Sequence, residues 1–203
     1  MAKDDDFETI CKRHPTYNSK RLKKLADYAH GKVMDVGFNR NPNPYIFIDV
    51  GIDIFFKSKP DNYGRVYKVN AETFTDKVKD KFDTIIAGEI IEHLENPSSF
   101  LKECHKSLND GGTLLITTPS PYWLPCMLLE MLNNRRFFFK DDHLSMFSPR
   151  IMFKLLKYNG FKLKKIEGSL FRYSLLYICE KDESKCDDIK RFYNGLKILR
   201  NRT

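Results

Sequence analysis

Two short segments of the chain place an imidazole next to a carboxylate. One is Glu92-His93, which follows an apolar stretch, and the other is Asp142-His143, which precedes a predicted helix. An imidazole can take a proton from a hydroxyl group, and a neighbouring carboxylate can orient the ring. We predict His143 as a general base oriented by Asp142, with the alternative that His143 only caps or hydrogen-bonds its own loop. For His93, at the start of a helix, we expect a structural role.

A second group of residues suits a nucleoside, because each follows an apolar run typical of a buried strand. Asp53 ends one such run, and a carboxylate accepts two hydrogen bonds from the cis-diol of a ribose. Gly37 ends another run, where the missing side chain lets the backbone approach a ligand closely. The small polar turn 70–72 suits the edge of a purine. Together and in this order, these residues predict an adenosine-bearing cofactor.

These side chains can meet only if a parallel sheet brings the carboxyl ends of its strands to one edge. Apolar runs predict strands over 32–37, 50–55, 65–70, 82–87 and 113–118, and helical periodicity predicts helices over 17–30, 97–108 and 149–158. Two late strands, 162–167 and 171–179, have no helix between them. The predicted fold is therefore α/β: a doubly wound, mostly parallel sheet in three α/β/α layers, with a C-terminal antiparallel hairpin.

The order of these features resembles the class I S-adenosylmethionine-dependent methyltransferases over about residues 32–181. Residues 82–97, which include Glu89 and Glu92-His93, and residues 108–119 resemble the fourth-strand and fifth-strand motifs of that family. Residues 142–149, followed by a helix and Asn159-Gly160-Phe161, are similar to a branch that acts on glycans, quinones and other small acceptors. The resemblance implies a Rossmann-like fold, S-adenosylmethionine as the methyl donor and S-adenosylhomocysteine as the product.

The resemblance also implies roles for individual residues. Gly37 and its neighbours would contact the methionine part of the cofactor, Asp53 the ribose, and residues 70–72 the adenine. Glu89 would lie near the sulfonium and the acceptor, and with His143 it is predicted to be catalytic. The predicted cofactor-binding residues are Asp35, Gly37, Phe38, Asn39, Asp53, Ile54, Asn70, Ala71, Glu72, Gly88 and Glu89.

The first motif departs from the family pattern. Asn39 and Asn41 stand where the family has its second and third glycines. Asparagine tolerates a positive φ better than other non-glycine residues, so we expect the turn to survive. The 18 residues from Asp35 to Asp53 leave little room for a helix between the first two strands. The alternative to an enzyme is therefore a non-catalytic or partner-dependent module with this fold.

A metal site is a further alternative. Glu89, Glu92, His93 and His143 resemble the metal ligands of small-RNA 2′-O-methyltransferases, and two carboxylates with two imidazoles can bind a divalent ion. However, many metal-free relatives in the family carry Glu-x-x-Glu-His as well. The first 149 residues also have no excess of positive charge, because the net charge of +8 comes from the 14 basic and 6 acidic residues of 150–203. We therefore expect neither a nucleic-acid acceptor nor a metal.

The chain is predicted to be a single domain over 1–203, with an N-terminal helical region 1–31, a core 32–180 and a basic tail helix 181–203. The apolar insertion 122–148 is expected to be a lid over the acceptor, or else a contact with a lipid carrier or membrane surface. Five scattered cysteines, no apolar run long enough to span a bilayer and a polar N-terminus predict a cytoplasmic protein. The predicted function is O-methylation of a small molecule or a glycan or lipid-linked acceptor.

Overall fold

A computed structural model describes residues 15–132, 143–168 and 173–182. Four helices are present in that part of the chain: α1 (Pro15–Tyr28), α2 (Pro97–Ser107), α3 (Leu124–Met131) and α4 (Pro149–Tyr158). Seven strands form one sheet: β1 (Val33–Val36), β2 (Ile48–Asp53), β3 (Tyr63–Lys68), β4 (Phe82–Gly88), β5 (Leu108–Pro119), β6 (Phe161–Glu167) and β7 (Ser174–Lys181). Short 3₁₀ turns cover Phe74–Asp76 and Ile91–His93. The predicted tail helix and Asp142 lie outside the described residues.

The sheet has the order β3-β2-β1-β4-β5-β7-β6. Strands β1 to β5 pair in parallel, and β7 runs antiparallel to both β5 and β6. Because β1 lies between β2 and β4, the chain leaves the middle of the sheet in opposite directions, which opens a crevice at the carboxyl ends of these strands. The predicted fold class, with its C-terminal antiparallel hairpin, is confirmed.

Side chains alternate between the two faces of the sheet and build two apolar cores. On one face, α2 and α4 pack through Phe100, Leu101 and Met152 against β4 and β5. On the other face, Leu25 of α1 packs against β1, β4 and β5. The sheet is therefore the middle layer of three. Among the described helices, none is long and apolar enough to cross a membrane.

Several strand boundaries differ from the predicted ones. Strands β2 and β3 begin and end two residues earlier than predicted, because Ile48 already pairs with Tyr63. Strand β5 begins at Leu108, which pairs with Phe82 ahead of an irregularity in the register. The polar and glycine residues 109–112, between the predicted helix 97–108 and the predicted strand 113–118, belong to the irregular start of β5, since α2 ends at Ser107 and passes directly into the strand.

The connection between β1 and β2 contains no helix in the described structure, as the short interval predicts. Its shape depends on Asn43, which is fully buried. The Asn43 amide N–H donates to the Tyr63 hydroxyl at 3.0 Å, and its side-chain NH₂ donates to the Leu22 carbonyl at 2.9 Å. The Asn62 side chain donates to the Asn43 carbonyl at 2.7 Å. Side-chain amides therefore hold the loop against α1 and β3, where a helix would supply its own backbone hydrogen bonds.

Candidate functional site

A cavity of about 280 Å³ opens at the carboxyl ends of β1, β2 and β3. Its volume is close to the lower bound for small-molecule sites, about 300 Å³. Six of the predicted cofactor positions line it: Gly37, Asp53, Ile54, Asn70, Ala71 and Glu72. Seven further residues complete the lining: Val36, Ile52, Val69, Ile90, His93, Leu94 and Glu95. Sequence analysis did not predict these seven as cofactor-binding residues. Three of them are apolar residues in or directly after β1, β2 and β3, and the other four lie in or beside the 3₁₀ turn Ile91–His93.

The turn after β1 brings the backbone to the cavity wall. Gly37 has a φ of +77°, a conformation that favours glycine. A Cβ on Gly37 would lie 2.7 Å from Ile90 Cδ1. The Gly37 N–H donates to the Ile52 carbonyl at 2.8 Å, which joins this turn to the end of β2. Any side chain at this position would therefore displace Ile90, a residue of the cavity wall.

Asp53 is held in place by the backbone of its own loops. One carboxylate oxygen accepts a hydrogen bond from the Asn39 N–H at 3.0 Å, and the other accepts from the Phe55 N–H at 2.9 Å. Each carboxylate oxygen has more than one acceptor direction, so both can still accept from a ligand. The arrangement pre-orients a carboxylate toward the cavity, as recognition of a diol requires.

The turn 70–72 is braced from both sides. Asn70 Oδ1 accepts from the Glu72 N–H at 2.8 Å, and Glu72 Oε1 accepts from the Asn96 N–H at 2.9 Å. Asn96 is the N-cap of α2, and its own side chain accepts from the Ser99 N–H. Ala71 is buried between these two polar neighbours. This wall of the cavity is therefore fixed to α2.

Asp35 and Phe38 do not line the cavity. Asp35 lies in the middle of β1 with its side chain on the α1 face of the sheet, where its carboxylate accepts a hydrogen bond from the Tyr63 hydroxyl at 2.5 Å. Burial raises the pKa of Asp35 to about 7. The Phe38 ring packs at 5.0 Å from the Tyr63 ring and 5.3 Å from the Phe56 ring. Both predicted binding residues thus contribute to the α1-side core.

Gly88 and Glu89 end β4 beside the cavity without lining it. Glu89 has a φ of +55° and is the single non-glycine residue with a positive φ among the described residues. Its N–H donates to the Thr117 carbonyl at 2.9 Å, and its side chain accepts from the Ser174 hydroxyl at 2.7 Å. A strained backbone of this kind persists only where surrounding contacts determine it, and such residues cluster at functional sites. The catalytic role of Glu89 stays a prediction.

Glu92, His93 and His143 form a compact cluster. Each offers a carboxylate oxygen or a ring nitrogen, and these atoms lie within 4.8 Å of one another. The His93 and His143 ring centroids are 4.7 Å apart, with an interplanar angle of 61°. Because His93 also lines the cavity, the cluster lies directly beside it. The sequence pattern for metal ligands also included Glu89. In the structure the Glu89 side chain accepts a hydrogen bond from Ser174 of β7 and is not part of this cluster.

Glu92 anchors the cluster. Its side chain is 1% exposed, and one carboxylate oxygen accepts a hydrogen bond from the Thr118 hydroxyl at 3.0 Å. Its backbone carbonyl accepts from the N–H groups of Leu144 and Ser145, at 2.8 and 3.1 Å. Burial raises the pKa of Glu92 well above its usual range, and the nearby charge of Glu89 raises it further.

Comparison with known proteins gives one family and several distant structural neighbours. Residues 12–166 match the family described as "Methyltransferase domain". The human mitochondrial ubiquinone biosynthesis O-methyltransferase is 28% identical over 112 residues, which are 52% of this chain and 30% of that protein. The rat enzyme of the same name is also 28% identical, over 94 residues. The chain thus spans about 30% of the length of these curated relatives.

Solved structures share the fold at low sequence identity. A SAM-dependent methyltransferase from Archaeoglobus fulgidus superposes with a TM-score of 0.61 at 19% identity, covering 82% of this chain and 94% of that one. A SAM-dependent methyltransferase from Thermotoga maritima, described as a possible histamine N-methyltransferase, gives a TM-score of 0.64 at 16% identity, covering 87% and 96%.

Proposed function

Since the chain belongs to the methyltransferase domain family and is an S-adenosylmethionine-dependent enzyme, we propose that it methylates a hydroxyl oxygen of a small-molecule, glycan or lipid-linked acceptor. The observation that carries the proposal is the position of His93. It lies on the wall of the cavity that contains Asp53 and also belongs to the proton-accepting cluster with His143. One side chain thus joins the cofactor end of the site to a place where a hydroxyl can lose its proton.

The residues around the cavity fit the cofactor. Gly37 has no side chain where a Cβ would collide with Ile90 of the cavity wall, and Asp53 presents carboxylate oxygens already oriented by backbone N–H groups. We assign Asp53 to the ribose and the braced turn 70–72 to the adenine. When bound, S-adenosylmethionine supplies a methyl group on a positively charged sulfur that needs no further activation. The protein then has to align the acceptor, exclude water and take up one proton.

The acceptor end of the site contains side chains that can accept that proton. His143, the base predicted from the sequence, lies against His93 and near the Glu92 carboxylate. Removing the proton makes the acceptor oxygen a better nucleophile. The relatives that are named O-methyltransferases support oxygen as the methylated atom, although the shared region is a minor part of their length.

Helix α3 supports a lipid-linked acceptor. Leu124, Leu128, Met131 and Leu132 are 56%, 47%, 78% and 76% exposed, which is a large apolar surface for one short segment. An acceptor with an isoprenoid or acyl tail could cover these side chains while its hydroxyl lies in the site. We expect Leu128→Glu to weaken sedimentation with anionic liposomes, with Lys154→Gln on α4, which also lowers the net charge by one, as the charge-matched control. Equal sedimentation of Leu128→Glu and the unmodified chain would argue against a membrane contact.

Calorimetry with S-adenosylmethionine and S-adenosylhomocysteine tests the cofactor assignment. The unmodified chain is expected to bind both, and Asp53→Ala to lose at least about tenfold in affinity, because a good hydrogen bond to a carboxylate contributes about 1.5–3 kcal/mol. Asp61→Ala, at an exposed turn position, is the control and should bind normally. If a folded chain bound neither compound at millimolar concentration, the non-catalytic module would be the correct interpretation.

A further inference from the structure

We propose that the Tyr63 hydroxyl is a positioning group for S-adenosylmethionine: together with the buried Asp35 carboxylate, it holds the loop 37–47 in the shape that aims Asp53 at the cofactor. Tyr63 does not line the cavity, because its ring lies in the α1-side core. It acts on the cofactor through the loop. The inference rests on the assignment of the cavity to the cofactor under the proposed function, and it does not depend on which acceptor is methylated.

The Tyr63 side chain spans three neighbouring strands. It begins at the start of β3, crosses β2 and ends at β1, where its hydroxyl donates to Asp35 at 2.5 Å. The crossing point is Gly51 of β2, since a Cβ there would lie 2.8 Å from Tyr63 Cδ1 and 3.0 Å from the Phe38 ring. Glycine within a strand is typical of places where another group approaches the backbone closely. Gly51 therefore provides the space through which the Tyr63 ring reaches β1.

The hydroxyl makes two hydrogen bonds that depend on each other. Its hydrogen is donated to Asp35, so its lone pairs remain for other partners, and one of them accepts from the Asn43 N–H at 3.0 Å. Tyr63 is 1% exposed and Asn43 is fully buried, so water does not compete for either bond. Without the hydroxyl, the Asn43 N–H and the Asp35 carboxylate would each lose a partner in a buried place, which is costly.

Tyr63 holds the loop at two points, one on either side of Asn39. Before Asn39, the Phe38 ring packs against the Tyr63 ring at a centroid distance of 5.0 Å. After Asn39, the Asn43 N–H is bonded to the Tyr63 hydroxyl. Asn39 itself donates its N–H to the Asp53 carboxylate at 3.0 Å. Because the loop forms no helix that would fix this N–H, its position depends on the two contacts with Tyr63.

Protonation of Asp35 changes this arrangement. Its carboxyl group faces Tyr63 of β3, Arg21 of α1 and Asp53 at the end of β2, and burial raises its pKa to about 7. An ionised Asp35 only accepts, so the Tyr63 hydroxyl donates to it and keeps its lone pairs for the Asn43 N–H. A protonated Asp35 can donate to the hydroxyl oxygen and competes with Asn43. The loop is therefore held most firmly when Asp35 is ionised, and cofactor affinity should rise as the pH increases through about 7.

Calorimetry with S-adenosylhomocysteine at pH 6, 7 and 8 tests the inference on the full chain. This ligand lacks the positive sulfonium, so a direct attraction between sulfonium and Asp35 does not contribute. Asp35→Asn accepts the Tyr63 hydrogen bond and does not titrate, whereas any titration of the ligand or of His93 in the cavity wall is common to both chains. The affinity of the unmodified chain, divided by that of Asp35→Asn, should therefore increase at least about threefold from pH 6 to pH 8.

Tyr63→Phe should bind at least about fivefold more weakly than the unmodified chain at pH 8, and its affinity should lack the increase that depends on Asp35. Tyr67→Phe is the matched control on the same strand, because the Tyr67 hydroxyl only accepts from Arg65 at the surface. It should retain both the affinity and the pH profile. The double variant Asp35→Asn/Tyr63→Phe also removes the charge that Tyr63→Phe leaves without a donor, and it should bind at least about fivefold more weakly than Asp35→Asn.

Thermal unfolding shows which variants are folded. The inference is overturned if folded Tyr63→Phe binds as tightly as the unmodified chain, if the folded double variant binds as tightly as Asp35→Asn, or if Asp35→Asn and the unmodified chain have the same pH profile. A purely structural hydroxyl would lower the unfolding temperature without changing that profile. Weakened binding by Asp53→Ala beside normal binding by Tyr63→Phe would overturn this inference alone. The expected binding results in a chain that methylates no acceptor would refute the proposed function alone.

Discussion

Asp35→Asn is expected to change how the stability of the protein depends on pH. The Asp35 carboxylate is buried on the α1 face of β1, where it accepts a hydrogen bond from the Tyr63 hydroxyl at 2.5 Å. Burial is the main reason why its pKa rises from 3.8 to about 7. The hydrogen bond from Tyr63 and the charge of Arg21 lower the pKa, but they do not outweigh burial. Above pH 7 the folded protein therefore contains a buried negative charge.

The sign and size follow from the linkage between protonation and folding. Asp35 binds its proton more tightly in the folded chain than in the unfolded one, so its contribution is fully present below about pH 4 and is lost as the pH rises through about 7. A rise of about three in pKa corresponds to about 4 kcal/mol, at 1.36 kcal/mol for each pKa unit. Asparagine is isosteric, can accept the Tyr63 hydrogen bond through Oδ1 and does not titrate.

Urea unfolding monitored by circular dichroism at several values from pH 5 to pH 8 measures the effect. The free energy of unfolding of Asp35→Asn, minus that of the unmodified chain, should increase by about 2 kcal/mol between pH 5 and pH 7 and level off near pH 8. Asp61→Asn, exposed in the turn before β3, should show a constant difference near zero. A difference for Asp35→Asn that does not change with pH would refute the reasoning, because the carboxylate would then titrate alike in both states.

Three further substitutions test local features of the fold and the site. Asn96→Ala removes the side chain that caps α2 and should lower the free energy of unfolding by about 1 kcal/mol in urea, whereas an unchanged midpoint would argue against the cap. Gly160→Ala, at φ +82° with its Cβ 2.7 Å from His105 Nε2, should cost more than Gly111→Ala, at φ +71° with open space around it. The Gly111 variant measures the backbone penalty alone, about 1–2 kcal/mol, and equal losses would show that His105 moves aside freely. Gly37→Ala should reduce affinity for S-adenosylmethionine at least about tenfold by calorimetry while retaining a cooperative unfolding transition, and normal affinity would remove the Gly37 turn from the binding site.

The order of the strands could be predicted because each buried strand is a short apolar run that ends in a turn. Residues 82–87 and 113–118 identify two central strands in this way, and 149–158 identify α4 through its helical periodicity. The boundaries of β2 and β3 could not be predicted equally well. Tyr63 and Gly64 resemble turn residues in the sequence, but they pair with β2 in the sheet. Pairing between distant segments, which local propensity does not include, decides those boundaries.

The site could be predicted only where a residue's role depends on its place at the end of a strand. Asp53 and the turn 70–72 line the cavity because the carboxyl ends of parallel strands meet at one edge. Asp35 and Phe38 lie within two residues of Gly37 in sequence, yet they belong to the α1-side core. The family resemblance could not show this, because the loop after β1 lacks the helix of the usual pattern.

That missing helix explains why the loop depends on buried side chains. Where a glycine-rich turn leads into a helix, the backbone N–H and C=O groups of that segment form hydrogen bonds within the helix. Residues 37–47 form no helix, so this segment needs other hydrogen-bond partners. Asn43 supplies them by bonding to Tyr63, Leu22 and Asn62 at once. The Tyr63 hydroxyl, which accepts from the Asn43 N–H, in turn donates to Asp35. This one hydroxyl therefore connects the charge of Asp35 to the shape of the loop between β1 and β2.

The acceptor side is organised around a different element, the 3₁₀ turn Ile91–His93. Ile91 is fully buried in the core formed with α2, whereas Glu92 faces Thr118 of β5 and His93 reaches the cavity. A single turn thus contributes to the core, the cluster of Glu92, His93 and His143, and the cofactor cavity. Substitutions at Ile91 should therefore reduce cofactor affinity and methylation together. Substitutions at His143, which belongs to the cluster but not to the cavity lining, should reduce methylation and leave cofactor affinity by calorimetry unchanged.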